Sequence, residues 1–501
     1  MDRTAFSVHL PFMGGGVPFL DDLPPRPAVM NRPCRGRARP WVPRLAAIAL
    51  FLTGACASLT NPPLSPIPTL DPAATAAHLA ERRLDNPEVE KALAAAGLPA
   101  PGATDGSWDL DALTVAAWQF RGEVTGARAA LDAARAGERV AAAKPPLSLS
   151  LTSELVTSAL GGMSPWTIAL AASQMFESHG KRQIRTERAR AETAVAAADL
   201  AAALWKVRGE VRQTLLDLAL ARRESEIAER ELALRTDFLE WLRTQLTLGA
   251  ASRPDLATAE ADLARATGQE ELARIEIPAA GNRLAAALGL PPSGVEGVRF
   301  ATPDLDALPA PFAAAEGDAL RERAVLDRLD LHRALEAYAV ALGDLRTELA
   351  KQFPDWTLGP GFTYDRGDRK VVLGVGVTLP RAAATRAAVG RANFLVAAAG
   401  ATVETAQAQA LAETAGAIER YAAVRETLER AEKARAERGA AIANAEHRRD
   451  LGAADRGDVL AAALAEIESR RAALAVRRAA VEALSAIEQG VQHPVWPESK
   501  L

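Results

Sequence analysis

The chain has 501 residues, of which 24% are charged and 5% aromatic, and a formal net charge of −4. Its length alone would allow roughly three compact domains, but the dominance of Ala, Arg, Glu and Leu suits long helices better. Near-neutral charge, with no basic patch interleaved with aromatics, argues against a nucleic-acid partner.

Residues 1–29 fit no targeting pattern, whereas Met30 is well placed to begin one. Arg32, Arg35, Arg37, Arg39 and Arg44 precede an apolar run at 45–52, followed by Thr53-Gly54-Ala55-Cys56. A basic segment, a short apolar segment and small residues before a cut make a secretory signal. The run is far below the ~20 residues that a spanning helix needs. Small residues directly before a cysteine resemble a bacterial lipobox, which would leave Cys56 as an acylated first residue. Ala57 after it favours sorting to the outer membrane. The alternative is an ordinary signal with an incidental cysteine. The other cysteine, Cys34, lies in the removed part, so no disulfide remains within one mature chain.

Residues 61–72 contain five prolines and read as an extended tether. Residues 73–143 read as mainly helical, with a Pro/Gly/Asp-rich loop at 97–108. Next, Leu147, Leu149 and Leu151 alternate with Ser148, Ser150 and Thr152; across a loop at 157–165, Trp166, Ile168 and Leu170 alternate with Thr167, Ala169 and Ala171. Period two over about ten residues predicts strands, at about 147–156 and 166–175. From 180 to 247 there is no proline, and Leu204, Val211, Leu218, Ser225, Leu232, Leu239 and Leu246 recur every seven residues, as in a coiled-coil seam. A return helix is predicted at 253–288, and a Pro/Gly/Asp-rich linker runs from 290 to about 312.

The second half repeats the first. Residues 248–255 read Leu-Gly-Ala-Ala-Ser-Arg-Pro-Asp, and 451–458 read Leu-Gly-Ala-Ala-Asp-Arg-Gly-Asp. Each copy divides a long helical stretch, so each marks the bend of a helical hairpin, and the chain is a duplication. Strands are predicted at about 356–364 and 370–379, joined by a turn at 365–368, with helices at 381–449 and 455–489. The chain thus divides into an extension and signal (1–55), a lipidated tether and N-terminal segment (56–108), a first repeat (109–294), a linker and second repeat (295–489) and a tail (490–501).

Each strand pair has one bulky apolar face and one small or polar face. Strand length and the aromatics near strand ends (Trp166, Trp356, Tyr364) point to an outer-membrane barrel. Four strands cannot close, and a bilayer forbids open strand edges, so several chains must contribute. Two chains would give eight strands and a filled interior; three would give twelve and room for a channel.

Two copies of strand hairpin, long helix, Leu-Gly-Ala-Ala turn and return helix resemble the TolC-type outer-membrane efflux proteins, over about 108–489. The segment Gln174-Met-Phe-Glu-Ser-His-Gly-Lys-Arg182, with Arg185 and Ala189, is similar to that family's junction from second strand to long helix. Its Gly-Lys-Arg element, and Asp109-Leu-Asp-Ala-Leu-Thr114, are most similar to the heavy-metal efflux branch. Phe120-Arg-Gly-Glu-Val departs from the usual Asn-Pro pair. The resemblance implies a mainly α fold with a small membrane β part, assembled as a homotrimer with a 12-stranded β-barrel and a periplasmic α-helical coiled-coil barrel. It also implies a passive conduit in the outer-membrane lipid, working with a periplasmic adaptor and an inner-membrane RND-type pump. The two turns, with Gly249, Arg253, Asp255, Gly452, Arg456 and Asp458, would form the periplasmic tip that contacts the adaptor and gates the tunnel. Trp166, Trp356, Phe362 and Tyr364 would form an aromatic girdle.

At the turns, Ser252 precedes Asp255 by three and Asp455 precedes Asp458 by three, the spacing of capping boxes. Asp255 and Asp458 can also form acidic rings at a cation-selective aperture. Arg253 and Arg456 either pair with them, holding the tip shut, or are solvated. His9, His78, His179, His332, His447 and His493 are dispersed without ligand spacing, so no metal site, cofactor or catalytic group is expected, and His179 reads as a junction residue. Carboxylates and arginines on the long helices read as solvated faces. A lipid-anchored periplasmic scaffold or adaptor is the competing reading; it leaves the hairpins unexplained. Drug efflux and type I protein secretion remain open as cargo classes.

Overall fold

The computed structural model describes residues 71–99, 106–157, 161 and 164–496. Cys56, the signal and most of the tether lie outside them. Helices α1 (Pro72–Ala80) and α2 (Pro87–Ala95) each begin with proline in the first turn, behind a capping Asp71 or Asn86. Proline there sacrifices no helical hydrogen bond. It also ends the preceding segment, so the single helical stretch expected here is broken. A second break falls at Arg121, whose extended backbone separates α3 (Leu110–Phe120) from α4 (Gly122–Ala142). A short strand β1 (Ser107–Trp108) precedes α3.

The first repeat continues with β2 (Leu147–Leu155), β3 (Trp166–Phe176), α5 (Lys181–Thr247) and α6 (Arg253–Leu288). The linker is not wholly irregular. It holds a 3-10 turn (Pro292–Val295) and β4 (Arg299–Phe300), which pairs in parallel with β1, Ser107 opposite Arg299 and Trp108 opposite Phe300. Two-residue strands carry no periodic signal, so the sequence reading had only a loop here. Helices α7 (Ala314–Leu326) and α8 (Leu329–Ala350) lead to β5 (Trp356–Asp365), β6 (Asp368–Val377), α9 (Ala382–Asp450) and α10 (Arg456–Val491).

At 1.5 Å per residue, α5 and α9 are each about 100 Å long. Helix packing follows the chain order of the wall, with α4 against α5, α5 against α8, and α8 against α9; α6 and α10 return along α5 and α9. None of the seven heptad residues of α5 is exposed. The stripe is wider than a coiled-coil seam in mid-helix, where Val207, Val211, Leu215, Leu216, Leu218, Leu220 and Ala221 are all buried. Along its length α5 packs against α3, α4, α6, α8 and α10. Two cores result. One joins α2, α3, α5 and α6 around Leu93, Leu113, Leu215 and Leu284. The other joins α5, α9 and α10 around Leu216, Tyr421, Ile467 and Ile487. Tyr421 donates its hydroxyl to the Pro309 carbonyl at 2.6 Å, strapping the linker to α9, and burial pushes its pKa up to about 12.

The four long strands form one antiparallel sheet in the order β2-β3-β5-β6. The hairpins of the two repeats therefore merge through β3 and β5. The β5–β6 turn has two central residues, Arg366 and Gly367, both at positive φ (53° and 123°), as a tight hairpin requires.

Candidate functional site

Register assigns every strand residue to a face. Leu151 lies opposite Leu170, Leu170 opposite Phe362, and Phe362 opposite Val371, so one apolar row crosses the whole sheet. Leu147, Leu358 and Val375 share that face. The opposite face carries Ser150, Ala171, Gly361 and Val372 in one row and Thr152, Ala169, Thr363 and Lys370 in another. In the protomer the apolar face is uncovered: Leu151 is 71% exposed, Leu170 52% and Val371 87%. Strands of 9, 11, 10 and 10 residues match the length that crosses a bilayer at a tilt. Among the described residues no helix is long and apolar enough to cross a membrane. Among the described residues, β2 and β6 each have one edge without a strand partner.

The aromatics fall at different heights. Trp166, opposite Leu155, and Tyr364, opposite Ile168, sit at the turn end; Trp356 sits at the helix end, opposite Phe176. Phe362 is two residues in from Tyr364, nearer mid-sheet. Phe176 shares the level of Trp356 but was missed, because in sequence it belongs to the junction segment.

Below the sheet, the Gly-Lys-Arg element becomes a clamp. His179 and Gly180 both take positive φ (52° and 68°) and turn the chain from β3 into α5. The His179 ring stacks on Phe353 with the ring centroids 3.5 Å apart. Lys181 Nζ donates to the Phe353 carbonyl at 2.7 Å and to Asp355 Oδ1 at 2.8 Å, and the Ser178 N–H donates to the same oxygen at 2.9 Å. Arg185 holds Glu177 and donates to the Ala141 and Ala143 carbonyls. Burial pushes the Asp355 carboxyl up, but Lys181 and Ser178 outweigh it and hold it below the usual carboxylate range. A depressed acid contributes stability above its unfolded pKa, near 3.8, that is lost as pH falls through the native value. Acidification below about pH 4 should therefore lower the amide protection factors at 353–356 and 178–181 in the native chain. In Asp355→Asn the acid-dependent part should vanish; equal acid sensitivity in both proteins would refute the clamp.

At the far end of α5 and α9 the repeated phrase builds the same turn twice. The Gly249 N–H donates to the Leu246 carbonyl and Ala250 N–H to Gln245; Gly452 donates to Arg449 and Ala453 to Arg448. Gly249 and Gly452 sit at φ 73° and 72°, the left-handed geometry that ends a helix in a Schellman motif. Three residues later a capping box starts each return helix. Ser252 Oγ accepts from the Asp255 N–H at 3.3 Å, and Asp455 Oδ1 from the Asp458 N–H at 2.9 Å; Asp255 and Asp458 accept in return from the N–H of Ser252 and Asp455, each at 3.0 Å. The Ser252 hydroxyl, then its backbone N–H, lower the pKa of Asp255. Both aspartates are exposed beside Leu248 and Leu451, which are 72% and 70% exposed and which sequence reading did not single out.

The arginines do not pair with these aspartates within the protomer. Arg456 lies 3.8 Å from Asp237 on α5, and Arg253 has no ion-pair partner among the described residues. Gly457 is buried under the Trp241 ring, which a Cβ at 457 would overlap; Pro254 occupies the corresponding place in the first repeat. The second hairpin's tip is thus seated on α5 through Gly457. Gly457→Val should cost about 1–3 kcal/mol, as overpacking does, and raise amide exchange at 237–242 and 456–461. Unchanged exchange would show that the tip is not seated there.

Solved structures with this architecture are outer-membrane channels. The outer membrane protein VceC of Vibrio cholerae superposes with a TM-score of 0.63 at 21% identity, over 77% of this chain and 96% of that one. The outer-membrane channel OprN gives 0.63 at 21%, over 83% and 92%, and CusC gives 0.63 at 18%, over 77% and 92%. The fold is that of these outer-membrane channels. The family profile described as outer membrane efflux protein matches residues 116–290, from α3 to the end of α6. The second repeat carries its likeness in the fold. No curated protein sequence matches the chain.

Proposed function

We propose that this protein is the outer-membrane channel of a tripartite efflux system, a passive conduit and not an enzyme. The observation that carries the reading is the uncovered apolar face of a sheet whose two edges are unpaired. In a bilayer such a sheet must close with copies of itself. Three copies of four strands make a twelve-stranded barrel wide enough for a channel, with the apolar row against lipid and the small, polar face lining the lumen. The long helices carry the wall about 100 Å into the periplasm, where the paired turns meet an adaptor and, through it, an RND-type pump supplies the energy. Exposed Leu248 and Leu451 suit such docking. Acylated Cys56 adds a lipid anchor in the outer membrane, redundant with the strands. Small solutes are the cargo, and heavy-metal cations are favoured by the likeness at Gly180-Lys181-Arg182 and 109–114.

Purified protein added to planar bilayers should give stable unitary conductances. A monomeric, water-soluble Cys56→Ala product with no conductance would instead favour the scaffold reading. If the tip aspartates also form rings, Asp255→Asn with Asp458→Asn should weaken cation selectivity in the same recordings. Unchanged selectivity would leave them as helix caps only.

A further inference from the structure

Directly beneath the apolar face lies a cavity of about 1050 Å³ between the end of α4, the end of β3 and the first turns of α5. Its upper wall includes Gln174 and Phe176, which belong by register to the apolar face, with Met175 of the other face between them. Its charges are unevenly matched. Glu177 is held by Arg185 and Glu187 by Gln183 and Arg346, while Lys181 is engaged by Asp355. Lys144, Arg182 and Arg190 also line it, all exposed, and none has an ion-pair partner among the described residues. The cavity therefore presents three uncompensated cations at the height where the apolar face ends. Lys144 stands three residues before β2, about 10 Å along an extended chain. The second repeat shows the same bias independently: after β6, residues 381–403 contain Arg381, Arg386 and Arg391, all exposed, and no Asp or Glu.

We infer that Lys144, Arg182 and Arg190 bind the headgroup phosphate of anionic phospholipid in the inner leaflet of the outer membrane. The inference rests on the bilayer reading above. Cations that follow an apolar membrane face gain about 1 kcal/mol each from anionic headgroups, and long Lys and Arg side chains reach towards the interface while their stems stay on apolar surface. A soluble ion would be met by the charges alone. A phospholipid also lays its chains on Phe176 and the leucine rows above.

The test is native mass spectrometry of the full-length protein after delipidation, titrated with phosphatidylglycerol or phosphatidylcholine, beside conductance in bilayers. Wild type should bind phosphatidylglycerol in preference to phosphatidylcholine. Lys144→Gln, Arg182→Gln and Arg190→Gln combined should erase that preference, about fivefold for each cation removed, while Arg438→Gln, far down α9, should keep it. Conductance should persist in both variants. Equal binding of the two lipids by a conducting wild-type protein overturns the headgroup site and leaves the channel reading standing. So does a preference that survives the triple substitution. A protein that neither inserts nor conducts overturns both.

Discussion

Leu170→Arg should prevent assembly in the outer membrane, whereas Ala171→Arg, one residue along, should be far better tolerated. Leu170 sits at the centre of the row Leu151–Leu170–Phe362–Val371, and Ala171 points to the other face with Gly361. Arginine at the bilayer midplane on the lipid face of a barrel costs about 2–4 kcal/mol, falling towards the interfaces, while lumen positions change selectivity instead. In a barrel of three copies the cost recurs three times, comparable to the whole stability of an ordinary domain. The assay is the fraction of heat-modifiable, detergent-resistant oligomer in purified outer membranes. Loss in both variants, or in neither, would mean that the two faces do not see different solvents.

The second large effect lies far from the membrane. Arg208 and Arg212 on α5 and Glu488 on α10 are each 3% exposed or less. Glu488 pairs with Arg208 and, through its other oxygen at 3.2 Å, with Arg212 Nε. Arg212 also donates to Ser485 Oγ and to the Trp496 carbonyl, and both guanidinium groups lie over tryptophan rings, Trp205 and Trp496. Burial lowers the Arg212 pKa, opposed by Glu488 and reinforced by Arg208. Among the described residues Arg208 Nε and Nη2 have no hydrogen-bond partner, so Glu488 is the main compensation for its charge. Glu488→Ala would leave two buried cations side by side, and breaking such a group by removing one partner costs about 3–5 kcal/mol. It should lower the thermal midpoint sharply. Replacing all three residues by Met or Leu should restore most of the loss, because apolar residues of similar volume carry no desolvation cost. If Glu488→Ala melts like wild type, the cluster is not what joins the two repeats. Arg83→Ala, which breaks an exposed pair with Asp85, should change little.

The contrast between these two sites explains what was legible in the sequence. Strand alternation has period two, and a shift of one residue would put every leucine on the wrong face. The strands therefore lie within two residues of their expected ends, and the faces agree with Leu147–Leu151 and Val371–Val377. The duplicated phrase located both bends, and the capping boxes at Ser252 and Asp455 follow from spacing alone. The buried triad had no such signature. Arg208, Arg212 and Glu488 stand on Ala-rich helices, where charges ordinarily face water, and the packing of α10 and Trp496 on α5 removes them from it. The Gly457–Trp241 contact was hidden for the same reason, as a pairing of residues more than 200 positions apart. The β1–β4 pair and the break at Arg121 were invisible because neither alters hydrophobic period.

In the proposed channel, the open four-stranded sheet closes with two further copies of itself. Electron cryomicroscopy of the detergent-extracted, full-length protein tests it most directly. A three-fold symmetric particle is expected, with twelve continuous strands, β6 of each copy hydrogen-bonded to β2 of the next, and a helical barrel about 100 Å long ending at Gly249 and Gly452. A monomer, or an assembly in which the edges of β2 and β6 stay unpaired, would contradict it.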